Sequence, residues 1–141
     1  MAEKWIIPCN IKVYDVIEHF KRNKRIVWKN SFTIRPGDVA YLYLSAPYSE
    51  IRYKCLVEND VTDEDTIQQN SYAIPAKKSN NFFSKKEKYV ELEFICEYPQ
   101  GALPLEKLKE NGLGQVQIQA RIDRRLQHFL NTIEEQVNHK G

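Results

Sequence analysis

Short apolar and alternating runs along the chain predict a sheet of several strands. Residues 39–44 are continuously apolar and aromatic, which is typical of a central strand. In residues 51–57 and 89–96 every second side chain is apolar, which predicts strands with one face on a core. The second of these runs places Val90 and Cys96 on the same face. Shorter strand-like runs occupy residues 5–8, 26–29 and 115–119.

Three segments have the spacing and end signals of helices. Asp15 can cap a helix whose apolar face begins at Val16. Residues 104–112 have proline near the start and glycine at the end, which predicts a short helix. The last segment is the longest, and its apolar residues fall on one stripe, namely Ile122, Leu126, Phe129, Leu130, Ile133 and Val137. We expect this helix to lie across one opening of the sheet.

Two connectors border the predicted central strand. Residues 34–38 contain Pro36-Gly37, which fits the middle of a type II turn because glycine accepts positive φ. Residues 45–49 join the central strand to the next one and carry Ser45, Pro47 and Tyr48. A short connector with small and aromatic side chains can form the lip of a pocket on a small sheet.

The periodic pattern is lost between residues 58 and 88. This segment has an acidic first part and a lysine-rich second part with two phenylalanines. A loop of this length is unusual inside a compact domain. Two interpretations stay open. In the first, the lysines follow the phosphate backbone of a nucleic acid while a phenylalanine ring stacks on a base. In the second, the segment is a solvated, mobile insertion.

Composition limits the possible classes of protein. The 141 residues fit a single domain, and the net charge of +2 provides no strong field for nucleic acid. The three cysteines, Cys9, Cys55 and Cys96, each lie in an apolar run, which predicts buried free thiols in a reducing compartment. Residues 5–7 are too short an apolar run for a signal peptide or a membrane span. We therefore expect a cytoplasmic protein.

The motifs of common enzymes are absent from the sequence. It contains no glycine-rich phosphate loop, no nucleophile elbow and no paired histidines at metal-binding spacing. Glu91 and Glu93 lie on one strand face, as in a metal-dependent nuclease, but no lysine completes that cluster at short spacing. An outward strand face is usually only solvated. We expect no catalytic site and no cofactor.

A binding pocket fits the residues better. Trp28 is followed by polar residues, which predicts partial exposure and stacking on a flat ligand, although such residues also cap the edge of a core. Tyr14 and Tyr48 lie in the two connectors expected to approach it. Asn10 has the paired donor and acceptor with which amide side chains bind a base edge. These residues favour a nucleobase as the ligand.

Several blocks of the chain resemble the EVE domain in the same order. They are Trp5-Ile6-Ile7-Pro8-Cys9-Asn10, Tyr14-Asp15, Ile26-Val27-Trp28, and residues 34–43 and 47–54. That family belongs to the PUA-like superfamily, with the YTH and ASCH domains as relatives. The chain most resembles the EVE-like modules that are attached to modification-dependent restriction nucleases. The resemblance covers residues 4–57, and resumes more loosely at 89–94, 105–112 and 119–122.

The resemblance implies a fold and a function. The fold would be α+β, a small, partly open PUA-like β-barrel of about five to six mixed strands flanked by about three helices, with residues 1–141 as one domain. The function would be non-enzymatic recognition of a flipped, modified base, a modified cytosine in DNA or, as in YTH relatives, methylated adenine in RNA. A protein-interaction or small-molecule-binding domain on the same fold is the alternative.

The resemblance also implies a set of ligand-binding residues and a partner. Trp28 would be the aromatic wall, and the other residues would surround it, namely Cys9, Asn10, Tyr14, Asp15, Ser45, Pro47, Tyr48, Gln119 and Arg121. The partner would be nucleic acid with a modified base, DNA before RNA, and no membrane. A separate nuclease or effector would complete the system.

Overall fold

The computed structural model describes residues 2–30, 33–61, 88–114, 116 and 119–140, and this part of the chain forms six strands and three helices. The strands are β1 (Lys4–Cys9), β2 (Arg25–Lys29), β3 (Val39–Leu44), β4 (Glu50–Val61), β5 (Tyr89–Glu97) and β6 (Ala120–Arg121). The helices are α1 (Val16–Arg22), α2 (Leu105–Glu110) and α3 (Arg124–Lys140). The predicted insertion begins later than expected, because residues 58–61 continue β4; residues 62–87 lie outside the described residues.

The six strands form one mixed sheet in the order β2-β5-β4-β3-β1-β6. β1 and β3 pair in parallel, and every other neighbouring pair is antiparallel. The predicted central strand is confirmed, because β3 lies between β4 and β1. The predicted strand at residues 115–119 lies mostly outside the described residues, and β6 covers only Ala120–Arg121.

Each face of the sheet carries its own core, because side chains alternate along a strand. On β1 and β3, Ile7 and Leu42 enter the core beneath α1, while Ile6 and Tyr41 enter the core beneath α2 and α3. We call these the α1-side core and the α3-side core. α3 therefore packs against a face of the sheet, through Leu126 among others, rather than across an opening.

The two edges of the sheet approach each other. Gln119, directly before β6, donates from Nε2 to the carbonyl oxygen of Lys29, at the end of β2, over 2.6 Å. β2 and β6 are the first and last strands of the sheet. A hydrogen bond between opposite edges requires a strongly coiled sheet, which is the usual result of strand twist. The sheet is thus strongly curved, and one side chain bridges its two edges although the edge strands do not pair.

One sequence prediction about the faces is wrong. Cys96 was expected beside Val90, but it packs against the α3-side core while Val90 lies in the α1-side core. The register explains the change, because Lys54 pairs with Cys96 whereas the next residue, Cys55, pairs with Phe94. The skipped residue, Ile95, forms a bulge that reverses the alternation and leaves its own side chain exposed.

The predicted turn at residues 34–38 fixes the start of β3. Gly37 has φ of +96°, a conformation that favours glycine. The carboxylate of Asp38 accepts hydrogen bonds from Glu3 N, Trp5 Nε1 and Arg35 N, each at 2.9 Å. One buried side chain therefore joins β1, the turn and β3.

Candidate functional site

The connector after β1 is a tight turn that leads into α1. Asn10 accepts at its backbone oxygen from the amides of Val13 and Tyr14, and at Oδ1 from the amide of Lys12. Asp15 then caps α1 by accepting from the amide of Glu18 over 3.0 Å, which confirms the predicted helix start. Asn10 is exposed, so its amide faces solvent at the rim of the α1-side core.

The connector after β3 lies directly beside this turn. Ser45 donates its amide hydrogen to the carbonyl of Cys9 over 3.0 Å, and its Oγ accepts from Ile11 N over 3.2 Å. Pro47 is exposed and follows a cis peptide bond. The structure therefore brings Cys9, Asn10 and Ser45 together. The cause is the parallel pairing of β1 and β3, which places their carboxyl ends side by side.

An aromatic pair lies beneath these connectors. The rings of Tyr14 and Trp28 meet edge to face, with centroids 5.2 Å apart and planes at 74°. The prediction that Trp28 is partly exposed is wrong, since its side chain is only 5% exposed. The reason is its place on β2, where it pairs with Val90 and points into the α1-side core.

Tyr48 completes the rim on the other side. It is half-buried against the α1-side core, and the guanidinium carbon of Arg52 lies 5.1 Å from its ring centroid. Arg52 is itself buried and binds Glu50 through Nε and Nη2 at 2.8 and 2.6 Å. Arg52 is a polar position in the alternating run of residues 51–57, and that pattern does not predict this ion pair. Leu42 of β3 pairs with Tyr53 and the next residue, Tyr43, pairs with Ile51. Arg52 is therefore skipped in a bulge, which accounts for its burial.

The two predicted residues near β6 have different surroundings. Gln119 is buried, and its bond to the carbonyl of Lys29 places it one residue from Trp28 along β2. Arg121 is exposed, with its guanidinium 5.4 Å from the ring of Trp5 and 3.9 Å from the Glu3 carboxylate. Among the described residues, no hydrogen bond, ion pair or ring contact joins Arg121 to Trp28 or to the two connectors.

Burial favours the neutral form of two ionisable side chains in this region, Cys9 and His19. Burial raises the pKa of the Cys9 thiol well above its ordinary value, with nearby Cys55 as a second cause. Its Sγ lies 3.7 Å from the carbonyl oxygen of Ile7 and donates to it. Burial also lowers the pKa of His19. A protonated thiol and a neutral imidazole suit shape and hydrogen-bond recognition better than nucleophilic attack.

The acidic residues of the nuclease hypothesis are engaged elsewhere. Glu91 accepts from Asn59 Nδ2 over 3.2 Å, and Glu93 forms an ion pair with Arg25 at 3.4 Å. Within the described ranges, no group of three or more histidine, cysteine or acidic residues is placed to hold a metal ion. In the same ranges, no helix has the length and apolar character needed to cross a membrane.

Comparison with known proteins gives matches among solved structures. No protein-family model matches the chain, and neither does any curated protein. ASCH from Zymomonas mobilis superposes with a TM-score of 0.67 at 12% identity, over 92% of this chain and 94% of that one. A hypothetical protein from Leishmania major gives 0.64 at 16% identity, over 96% and 97%. Human THYN1 protein, in complex with 5-methylcytosine containing DNA, gives 0.62 at 14% identity, over 95% and 98%.

These superpositions extend over nearly the whole of both chains. The chain has a PUA-like fold. The predicted α+β class, with a mixed sheet that does not close and flanking helices, is thereby confirmed. Identities of 12–16% establish the fold alone, and the activity of each relative remains a property of that relative.

Proposed function

We propose that this protein is an EVE-like module that recognises a modified base, a modified cytosine in DNA, after the base has been flipped from the duplex. The observation that carries the proposal is the aromatic pair of Tyr14 and Trp28 beneath the adjoining connectors of β1 and β3. The shared fold with THYN1, whose structure contains 5-methylcytosine DNA, supports the same ligand class. The residues that we propose to bind the base together with this pair are Cys9, Asn10, Asp15, Ser45, Pro47, Tyr48 and Gln119.

Binding would require movement at the site. Because Trp28 is 5% exposed, a base can stack on its indole only after the groups that cover it shift. Flipping costs a few kcal/mol, whereas stacking returns about 1–3 kcal/mol per base, and the Asn10 amide adds hydrogen bonds. The balance predicts modest affinity and a two-step association, in which an encounter precedes insertion.

Because the chain has a low net charge, selectivity would come from contacts with the modified base rather than from the phosphate backbone of the nucleic acid. A net charge of +2 gives little release of counterions, so binding to unmodified nucleic acid should be weak. A module of this kind provides recognition without chemistry. The protonated Cys9 thiol and the pairing of Glu93 with Arg25 support a binding role rather than a catalytic one. A separate nuclease or effector would then act on the bound nucleic acid.

Tryptophan fluorescence tests the proposal directly. We would titrate the protein with duplex DNA carrying 5-methylcytosine, 5-hydroxymethylcytosine or cytosine at one position, and with RNA carrying methylated or plain adenine. Quenching is expected with a modified cytosine. The response should persist in Trp5→Phe and disappear in Trp28→Phe, which keeps an aromatic ring in the core. If every oligonucleotide leaves the emission unchanged, the proposal is wrong.

A rim variant separates recognition from folding. Asn10→Ala removes an exposed amide at the rim and should weaken binding of the modified DNA by about tenfold. Asn59→Ala removes an exposed amide on β4 and serves as the matched control, with unchanged affinity. A response to methylated RNA alone would favour a reader of modified RNA. If no nucleic acid changes the fluorescence, the result would favour a protein-interaction or small-molecule-binding domain, an alternative that the near-neutral charge supports.

A further inference from the structure

Arg52 is a buried, charged side chain to which the proposed function gives no role. The side chain is 8% exposed, and its guanidinium binds the Glu50 carboxylate through Nε and Nη2, at 2.8 and 2.6 Å. A second carboxylate, that of Glu97, has its Oε2 3.6 Å from Nη1. Burial opposes the charge on Arg52, but its hydrogen bonds to Glu50 outweigh burial and raise its pKa. Arg52 is therefore a fixed, charged group beside the rim.

Glu50 joins Arg52 to two neighbouring segments of the chain. Its Oε1 accepts from the amide of Gly101 over 2.7 Å, in the loop between β5 and α2. Ser49 directly precedes Glu50 and ends the connector after β3, and its carbonyl accepts from the amide of Leu105, at the start of α2, over 3.0 Å. The ion pair thus lies where this connector, β4 and the loop before α2 meet.

Tyr48 places its ring over the guanidinium of Arg52. The guanidinium carbon is 5.1 Å from the ring centroid, which is within the range of a cation–π interaction. The ring also packs against the α1-side core, and the amide of Tyr48 donates to the carbonyl of Ser45 over 3.2 Å. The backbone and the ring of Tyr48 are therefore both held, while part of the side chain remains in contact with solvent.

The ion pair suits the control of geometry better than the gain of stability. Buried ion pairs often contribute no more to stability than apolar side chains of the same volume. The guanidinium is planar, however, and its bidentate bond to Glu50 fixes the orientation of that plane. An aromatic ring that lies over the plane is oriented with it. A lysine at position 52 would keep the charge but would offer no plane.

We infer that Arg52 is a positioning residue, which holds the Tyr48 ring at the rim in the orientation that contacts the flipped base. This inference rests on the proposed function, in which Tyr48 is one of the residues that bind the base. Because Arg52 is buried and bound to Glu50, it would act on the ligand through Tyr48 alone. Loss of the planar support should weaken binding about three- to tenfold, the size of a cation–π contact.

A double-mutant cycle distinguishes positioning from a general loosening of the fold. We would measure dissociation constants for duplex DNA with 5-methylcytosine at one position. Tyr48→Leu, which removes the ring, should weaken binding about tenfold. Arg52→Lys alone should weaken it about three- to tenfold, but in the Tyr48→Leu background it should cause no further loss. The inference is wrong if Arg52→Lys is equally harmful with and without the ring.

Three variants serve as comparisons in the same assay. Tyr48→Phe keeps the ring, so Arg52→Lys should again weaken binding about three- to tenfold in that background. Asn10→Ala changes the other connector, so its loss should add to that of Arg52→Lys. Arg124→Lys makes the same chemical change at an exposed arginine on α3 and should leave the affinity unchanged.

NMR provides a readout that does not depend on the ligand. The wild type should show nuclear Overhauser effects between the Tyr48 ring and the Arg52 side chain, and those from the ring to the α1-side core should weaken in Arg52→Lys. Unchanged contacts of the ring in Arg52→Lys would overturn the inference.

Two further outcomes are distinguishable from these. If Arg52→Lys does not fold, Tyr48→Leu decides, because an affinity equal to that of the wild type would leave the ring no role for Arg52 to support. If the wild type binds no modified nucleic acid, the proposed function itself fails, and the NMR contacts still decide whether Arg52 holds Tyr48.

Discussion

The carboxylate of Asp38 should be among the largest single contributions to the stability of this fold. It is 2% exposed and accepts three hydrogen bonds, from Glu3 N, Trp5 Nε1 and Arg35 N. Trp5 lies in β1, Glu3 directly precedes it, and Arg35 lies in the turn before β3. Removal of the carboxylate therefore loosens the parallel pairing on which the two connectors of the candidate site depend.

The structure allows the cost of two substitutions to be ranked. Asp38→Ala leaves all three donors without their acceptor. The unpaired, buried indole N–H of Trp5 alone should lower the free energy of unfolding by about 1–3 kcal/mol. With two backbone amides added, we expect a loss of about 3–5 kcal/mol. Asp38→Asn can turn its oxygen towards Trp5 and Arg35, but its NH₂ group then faces the amide of Glu3. We expect about 2 kcal/mol for this variant.

Urea unfolding followed by circular dichroism measures both losses, provided that the m-value stays constant. Asp60→Asn, at an exposed carboxylate on β4, is the matched control and should shift stability by less than about 0.5 kcal/mol. The reasoning is wrong if Asp38→Asn is as stable as the wild type, or if it is less stable than Asp38→Ala.

Acid provides a second test of the same carboxylate. Burial opposes ionisation of Asp38, but bonds from Glu3, Arg35 and Trp5 outweigh it and hold its pKa below the ordinary 3.8. A lowered pKa means that the stabilisation is complete above the unfolded-state value and is lost as the pH falls through the folded-state value. The difference between wild type and Asp38→Asn should therefore narrow below about pH 4. A difference that stays constant down to pH 2 would contradict the assignment.

Three further predictions follow from single residues. Gly37→Ala should cost about 1–2 kcal/mol in urea unfolding from its φ of +96° alone, since an added Cβ meets nothing within 4 Å. Burial lowers the pKa of His19 below 6.5, so the wild type should lose stability as the pH falls below about 6.5, by at most about 1.4 kcal/mol per unit, and His19→Gln should not. In the folded protein, Ellman's reagent should modify Cys96, which is half-buried, before the buried Cys9 and Cys55, and it should reach all three in urea.

The features that the sequence predicts well are local ones. The cap at Asp15 depends on four consecutive residues, and the turn at Gly37 depends on a preference of glycine that any context retains. The alternation in β4 and β5 is equally local, and it predicts both strands. The end of β4 is not local, since β4 continues to Val61, where it pairs with Tyr89 of β5.

The features that the sequence hides depend on register. A one-residue bulge at Ile95 moves Cys96 to the other face, and nothing in an alternating run marks which residue will be skipped. The burial of Trp28 is similar, because its exposure is decided by the strand and core that cover it rather than by its sequence neighbours. Arg52 is a third example, because a bulge in β4 at this residue accompanies its burial against Glu50.

Parallel pairing explains why residues far apart in the sequence form one site. Cys9 and Leu44 are partners at the carboxyl ends of β1 and β3, so the chain must leave both strands at the same place. Two connectors then meet there, and the bonds of Ser45 to Cys9 and Ile11 lock them together. An antiparallel β1–β3 pair with the same residues would separate the connectors by the length of a strand. Since periodicity reports faces and not strand direction, the site becomes visible only when the topology is known.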